Sequence, residues 1–159
     1  MLTLHHHCFV TAFGEVTGVI GRGDMQKPIV RMWLFGIVTM LEMSFVDRIR
    51  EHWPNGGWEA TLSPGRLDKA RQLRGERERR GQPADLLDCL QLSDKAQVVL
   101  SDEGLIEAYG FETRGAAKRV VKDLESLRNN LAHGQDIVTH DWPQIARLAR
   151  RIEQAARPD

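Results

Sequence analysis

Cysteine is nearly missing from this chain: two occur in 159 residues, Cys8 and Cys89, far apart and outside any CxxC spacing. That excludes a disulfide scaffold and fits reduced thiols in a cytoplasmic protein. An excess of charge of one sign is also lacking, with 22 basic residues against 22 acidic ones. No global field therefore draws the chain to nucleic acid or to a membrane, and any such attraction has to come from local patches. A long hydrophobic run is missing as well. The best candidate, Met32 to Val46, falls short of the roughly 20 residues needed to span a bilayer and contains Glu42, so it reads as a buried core helix. The first residues, MLTLHHHCFVTAFG, lack the basic start and unbroken apolar stretch of a signal peptide.

Catalytic signatures are sparse too. There is no GxSxG elbow and no GxxxxGK[ST] phosphate loop, and Cys89 lies in an apolar helical pattern beside Leu90. His5-His6-His7-Cys8 offers metal-binding side chains, but neighbours in an extended segment point to alternate sides and no second ligand cluster follows. Neither a metal nor a cofactor is expected. Internal repeats and low-complexity linkers are absent.

What is present is hydrophobic periodicity. Cys8–Ala12 and Val16–Ile20 are short β-prone runs around a Phe13-Gly14-Glu15 turn, which predicts a hairpin. From Pro28 onward the pattern is helical. Met32, Leu34, Phe35, Val38, Leu41, Phe45 and Ile49 supply a broad apolar face up to His52, and Pro54-Asn55-Gly56-Gly57 stops it. Ser63-Pro64 opens a highly charged segment, and PADLLDCLQL predicts a short amphipathic helix. Ser93 is expected to cap a further helix, and Ser101–Gly110 supplies another turn or two. Thr113 opens the most regular helix, with Ala117, Val120, Val121, Leu124, Leu127 and Leu131 on one stripe and Gly134 as its terminator. DWPQIARLARRIEQAA is the last amphipath, with Ile145, Leu148, Ala149, Ile152 and Ala156 facing inward. The fold class expected is all-α: a bundle of about four or five helices over residues 28–159, preceded by a hairpin segment over residues 1–27. Trp33, Trp53, Trp58 and Trp142 are expected to fill core or seam.

The stripe of the long helix runs straight into a polar cluster, Arg128-Asn129-Asn130-Leu131-Ala132-His133. The spacing of an arginine and a histidine arises by chance in many chains, so the context gives it weight. Arg128 borders Leu124 and Leu127, while His133 lies near the C-terminal carbonyls, where the helix dipole favours an imidazolium. The bland reading pairs Arg128 with Asp123 or Glu125 and makes His133 a cap for the last carbonyls.

The cluster resembles the HEPN superfamily (higher eukaryotes and prokaryotes nucleotide-binding), whose signature is an arginine, often a polar residue next, and a histidine after four to six intervening positions. RNNLAH has that form, on a penultimate helix followed by one amphipathic helix, and the likeness covers the chain from about Pro28 to Ala156. The resemblance implies an all-helical homodimer whose two motifs meet in a cleft. It further implies a metal-independent endoribonuclease in which Arg128 and His133 act on RNA with Asn129 assisting, or a non-catalytic relative that dimerises and binds a nucleotide or a regulatory partner such as an antitoxin. A third reading is a helical bundle with no site at all. For RNA, the backbone-binding candidates are Arg66, Arg74 and Arg77 in the charged segment and Arg147, Arg150 and Arg151 in the last amphipath.

A second, shorter likeness lies upstream. Gly18-Val19-Ile20 and Asp24 resemble the end of a CBS (cystathionine-β-synthase-type) repeat, with Gly21 where that pattern has a hydroxyl residue. The match covers too little for a working adenosine-nucleotide site and marks residues 1–27 as the remnant of a sensor domain.

Overall fold

The computed structural model describes residues 7–139, 142–143, 146–147 and 150. The expected class is what forms: a mainly helical chain with a small antiparallel hairpin at its start. Strands β1 (His7–Ala12) and β2 (Glu15–Gly21) pair from His7 opposite Gly21 to Ala12 opposite Glu15. The two turn residues between them, Phe13 and Gly14, have φ of 53° and 85°. A two-residue hairpin loop needs left-handed backbone at both positions to match the strand twist, which glycine adopts freely and phenylalanine does not. Phe13 bears that strain with its ring wholly in solvent.

Five α-helices follow among the described residues: α1 (Pro28–His52), α2 (Pro64–Arg79), α3 (Leu92–Val99), α4 (Glu103–Ala108) and α5 (Arg114–Ala132). Pro28 opens α1 where its missing N–H is harmless. Ser63 and Pro64 open α2 as their order predicts. In α4 the Asp102 carboxylate accepts from the Leu105 N–H, and in the first turn of α5 the Thr113 hydroxyl accepts from the Ala116 N–H. Ser93, expected as a cap, lies inside α3. The cap is Gln91, whose N–H donates to Asp94 three residues on. The helix expected over PADLLDCLQL is instead a single 3-10 turn at Leu87–Cys89. Leu87, Cys89 and Leu90 are all buried, a spacing that one helical stripe cannot supply. Of the last amphipath, Trp142, Pro143, Arg147 and Arg150 are helical. Ile145, Leu148, Ala149, Ile152 and Ala156 lie outside the described residues.

The chain divides into two compact units: residues 1–39 with 126–159, and residues 40–125. In the second unit Leu41, Phe45 and Ile49 of α1, Val98 and Val99 of α3, and Ala117 and Leu124 of α5 are buried core residues. Glu42, the one charge in the apolar run, receives the Lys95 ammonium at 2.6 Å, and Lys95 is almost fully buried. Arg66 makes a close ion pair with the buried Asp94. Tyr109 stacks edge-on against Phe45 at 5.2 Å and shares a 2.7 Å hydrogen bond with Ser44. In the first unit Leu34, Ile37, Val38, Leu127, Leu131 and Ile137 are buried.

The outer side of α1 departs from expectation. Met32 and Phe35 are exposed, as are Ile29 and Trp33. At about 100° per residue, Ile29, Met32 and Trp33 fall on the side opposite Leu34, Val38 and Leu41. The first turns of α1 therefore carry two apolar faces, and only one is covered. Trp58 is buried and Trp53 and Trp142 are half-buried, so Trp33 is the tryptophan that departs from the expected core role. By length and composition alone α1 would also pass for a membrane span, but its core-facing stripe is packed and Glu42 is ion-paired.

Two outcomes test this packing. Glu42→Ala leaves a buried ammonium unpaired and should lower unfolding free energy by about 3–5 kcal/mol, while Lys95→Met, which keeps the stem and removes the charge, should lose less than half of that. Denaturant unfolding of both variants reads the difference. Burial also pushes the phenol of Tyr109 above its ordinary value of 10.0, against the smaller downward pull of the Ser44 hydrogen bond. The folded state thus favours the neutral phenol. That contribution is complete below about pH 10 and is lost as pH climbs through the raised value. Tyr109 is the chain's only tyrosine, so an ultraviolet titration of phenolate formation should show one ionisation, displaced upward until unfolding restores the usual midpoint.

Candidate functional site

The polar cluster sits on the last turn of α5 and the residues just past it. Gly134, at φ 68°, supplies the left-handed step that ends the helix, and the Gln135 N–H returns to the Asn130 carbonyl at 2.9 Å. Arg31, in the first turn of α1, brings further donors to this helix end. Its Nη2 donates to the carbonyls of Asn130 at 2.8 Å and Leu131 at 3.2 Å, and its Nη1 donates to the Gln135 carbonyl at 2.9 Å and to Gln26 Oε1 at 2.8 Å. One planar cation thereby caps a helix C-terminus, where positive charge is favoured.

Around this clamp the remaining polar groups interlock. Gln26 donates to Asp136 in a close side-chain contact, Asp136 Oδ1 also accepts the Val138 N–H at 2.7 Å, and Asn130 Nδ2 donates to the Asp136 carbonyl at 3.1 Å. Asn130 and Arg31 are thus structural. Sequence reasoning missed Arg31. A signal existed, because Arg31, Leu34, Val38, Leu41 and Phe45 follow helical spacing and put an arginine where the apolar stripe calls for a hydrophobe. An arginine in a first turn also opposes the helix dipole, so a specific acceptor was to be expected.

Arg128, Asn129 and His133 are all exposed. Arg128 points further outward than its place beside Leu124 and Leu127 suggested. Its Nη1 reaches Asn129 Oδ1 at 3.4 Å, and among the described residues it pairs with neither Asp123 nor Glu125. The His133 backbone N–H bonds the Asn129 carbonyl at 3.0 Å, but its imidazole makes no hydrogen bond among the described residues. Histidine does not cap α5; Arg31 does. A side-chain hydrogen bond joins Arg128 to Asn129, and among the described residues none joins His133 to either. On a regular helix, positions five residues apart lie roughly 140° around the axis from each other, so helical spacing by itself does not aim the guanidinium and the imidazole the same way.

The arginines expected to bind an RNA backbone fare unevenly. Arg66 is engaged by Asp94, and Arg74 lies 3.5 Å from Glu78. Arg77 is half-buried near the end of α2, and Arg147 and Arg150 are exposed. Arg151 lies outside the described residues. Neighbouring Arg71 pairs with Asp68 at 3.1 Å, so Arg71 and Arg74 are both balanced within their own helix.

At the hairpin, the Asp24 carboxylate is held by Lys27 at 2.7 Å and by the Gly21 N–H at 2.7 Å, and these two contacts keep its carboxyl below the usual range. The residue matched to a ribose-holding aspartate caps a 3-10 turn (Arg22–Gln26) here. Among the described residues no cluster of His, Cys, Asp and Glu could hold a metal; His5 and His6 lie outside them, and His7 is exposed.

Neither the sequence nor the fold matches a family model, a curated protein or a solved structure.

Arg31 and His133 can be separated by mutation. Arg31→Ala removes a charged donor from three carbonyls and should destabilise the first unit by about 1–3 kcal/mol, with faster amide exchange in the last turn of α5. His133→Ala should stay within about 0.5 kcal/mol of the parent, because its side chain holds nothing in place. Thermal unfolding and hydrogen exchange of the two proteins check both expectations.

Proposed function

We propose that the chain is an endoribonuclease of HEPN type, working without a metal at a site built from two copies. The observation that carries this reading is the division of labour at the end of α5. Arg31 and the Gln135 N–H cap the helix and Asn130 ties down the segment beyond it, while the side chains of Arg128, Asn129 and His133 are exposed and do none of this work. Exposed residues spared from structural work are where chemistry is to be sought.

RNA carries its own nucleophile in the 2′-hydroxyl. In the proposed reaction one imidazole takes the 2′-proton as the oxygen attacks the adjacent phosphorus. A phosphorane-like transition state gathers charge on its oxygens, where the guanidinium of Arg128 supplies a fixed planar fork. Protonation of the 5′-oxygen by an imidazolium releases it, leaving a 2′,3′-cyclic phosphate and a 5′-hydroxyl. Histidine suits both proton steps because it titrates near neutrality. One imidazole serves at a time as acid or base, so two copies of His133 furnish the pair. Asn129, already in contact with Arg128, orients the guanidinium.

The angular separation of Arg128 and His133 on α5 also favours assembly from two chains. So does the outer face of α1, which belongs to the same unit. Ile29, Val30, Met32 and Trp33 line an apolar hollow there. Ile29 and Met32 are each 70% exposed, a surface suited to burial against a second copy. The expected partners are therefore RNA and a second copy of the chain, with a regulatory protein such as an antitoxin as a further one, and the expected location is the cytoplasm.

Purified protein should cut single-stranded RNA in excess EDTA and leave 2′,3′-cyclic ends. His133→Ala should abolish cutting while the protein remains folded and dimeric, and Arg128→Ala should slow it by about a hundredfold or more. Trp33→Glu should yield a folded monomer without activity. A dimer that leaves RNA intact at high concentration would instead favour the non-catalytic HEPN module.

A further inference from the structure

The turn Pro54-Asn55-Gly56-Gly57 ends α1 and sets a reactive side chain beside an unshielded peptide. Asn55 and Gly56 are exposed, and among the described residues no hydrogen bond holds the Asn55 amide. Gly56 at φ 79° and Gly57 at φ 103° use the backbone freedom of glycine, and neither carries a β-carbon to screen the Gly56 nitrogen. That nitrogen donates to the Trp53 carbonyl at 3.1 Å, closing a turn with Pro54 and Asn55 at its centre. A single turn bond at the surface opens readily, because water replaces what it loses.

An asparagine amide carbon is one ring closure away from the nitrogen of the next residue. When the Gly56 nitrogen gives its proton to solvent and attacks Asn55 Cγ, a new C–N bond forms. The Cγ–Nδ2 bond then breaks, ammonia leaves and a five-membered succinimide remains. Water opens that ring at either carbonyl. One product is aspartate; the other is isoaspartate, whose main chain runs through the former side chain. Bulk on the following residue slows the closure, and glycine offers none. The chain has three asparagines, and the other two are poorly placed for this reaction. Asn129 and Asn130 lie within α5 and precede Asn130 and Leu131, so regular helical backbone keeps the next nitrogen from the amide carbon.

The loop is also sensitive to a new charge. Glu59 Oε2 accepts the Gly57 N–H at 2.8 Å, and a β-carbon built on Gly56 would lie 3.8 and 3.9 Å from the two Glu59 carboxylate oxygens. A carboxylate formed at position 55 therefore arises one residue from a position that a carboxylate already borders, and like charges repel. Isoaspartate further adds a methylene to the main chain between Trp53 and Gly57. Both changes act on the anchor of the 3-10 turn Trp58–Thr61, whose Trp58 is buried.

We infer that Asn55 is a site of spontaneous deamidation in the folded protein, converting to isoaspartate and aspartate through a succinimide with the Gly56 nitrogen, and that the conversion loosens the Gly57–Glu59 anchor. The inference does not depend on RNA cleavage. Every residue it uses belongs to the unit that lacks Arg128 and His133.

Incubation of the folded protein in mildly alkaline buffer, followed by peptide mapping with mass spectrometry, tests it. The peptide containing Asn55 should gain the mass that replaces NH2 by OH and should elute as an isoaspartate and aspartate pair. Peptides containing Asn129 and Asn130 should keep their mass. Asn55→Gln should stay unconverted over the same period, because its closure needs a six-membered ring, and should keep the circular dichroism of the parent. The isoaspartate form, separated by ion exchange, should melt a few degrees below the parent. Asn55→Asp, which adds the charge without lengthening the main chain, should fall between the two. The proposal is overturned by any of three outcomes: no conversion of Asn55 in the folded protein over a period in which the unfolded chain converts, equal conversion at Asn129 or Asn130, or an isoaspartate form that melts with the parent.

Discussion

An α-helix ends with carbonyls that nothing inside it can satisfy, and how α5 disposes of its own decides what the rest of the cluster is free to do. The guanidinium of Arg31 takes the carbonyls of Asn130, Leu131 and Gln135 at once. Lysine would serve less well, because three acceptors within the six residues 130–135 suit a fork rather than a point charge. The clamp also joins α1 to the segment after Gly134 within one unit, through Gln26 and Asp136. Were the carbonyls capped by His133 instead, its imidazole would be spent on structure and the candidate site would vanish.

The second constraint is the composition of α1. Its mean hydropathy is high enough for a membrane, yet the helix meets the core with one stripe only. Leu34, Val38 and Leu41 satisfy that stripe, and Glu42 finds Lys95 on its flank. What remains on the first turns is a surplus of apolar surface at Ile29, Met32 and Trp33, and the hairpin that precedes α1 in the chain also exposes Phe9, Val16 and Val19. A two-stranded hairpin has little to stabilise it alone. Exposed apolar area of this kind is what the proposed dimer would cover, an argument that makes no appeal to the polar cluster.

Much of the fold was legible in the sequence, and the reasons are local. Pro28, Ser63-Pro64, Thr113 and Gly134 each act within one turn of chain, so the bounds of α1, α2 and α5 could be read from them. The stripe Ala117, Val121, Leu124, Leu127 and Leu131 became core because period and burial agree on a helix with one packed side. Where period and burial part company, reading failed. Phe35 and Met32 looked like core because a helix apolar on both sides has no pattern that says which side is covered. PADLLDCLQL looked helical because Leu87 and Leu90 are three apart, although Cys89 is buried between them in a 3-10 turn.

The candidate site was legible as a list of residues but not as an arrangement. Which of Arg128, Asn129, Asn130 and His133 was structural depended on Arg31, about a hundred residues away in sequence, and no local rule connects them. The same holds for the cations of α5. Arg114, Lys118 and Lys122 look like a solvated helix surface until α3 lays Ala96 and Leu100 beside them, and Arg66 gains meaning only once Asp94 holds it. Some charges are balanced by neighbours one turn away, as Arg71 and Arg74 are, and their pairing can be read from spacing alone. On α5, Arg114, Lys118 and Lys122 share one face beside the buried Ala96, Leu100 and Val121, an arrangement that the spacing of α5 alone does not disclose.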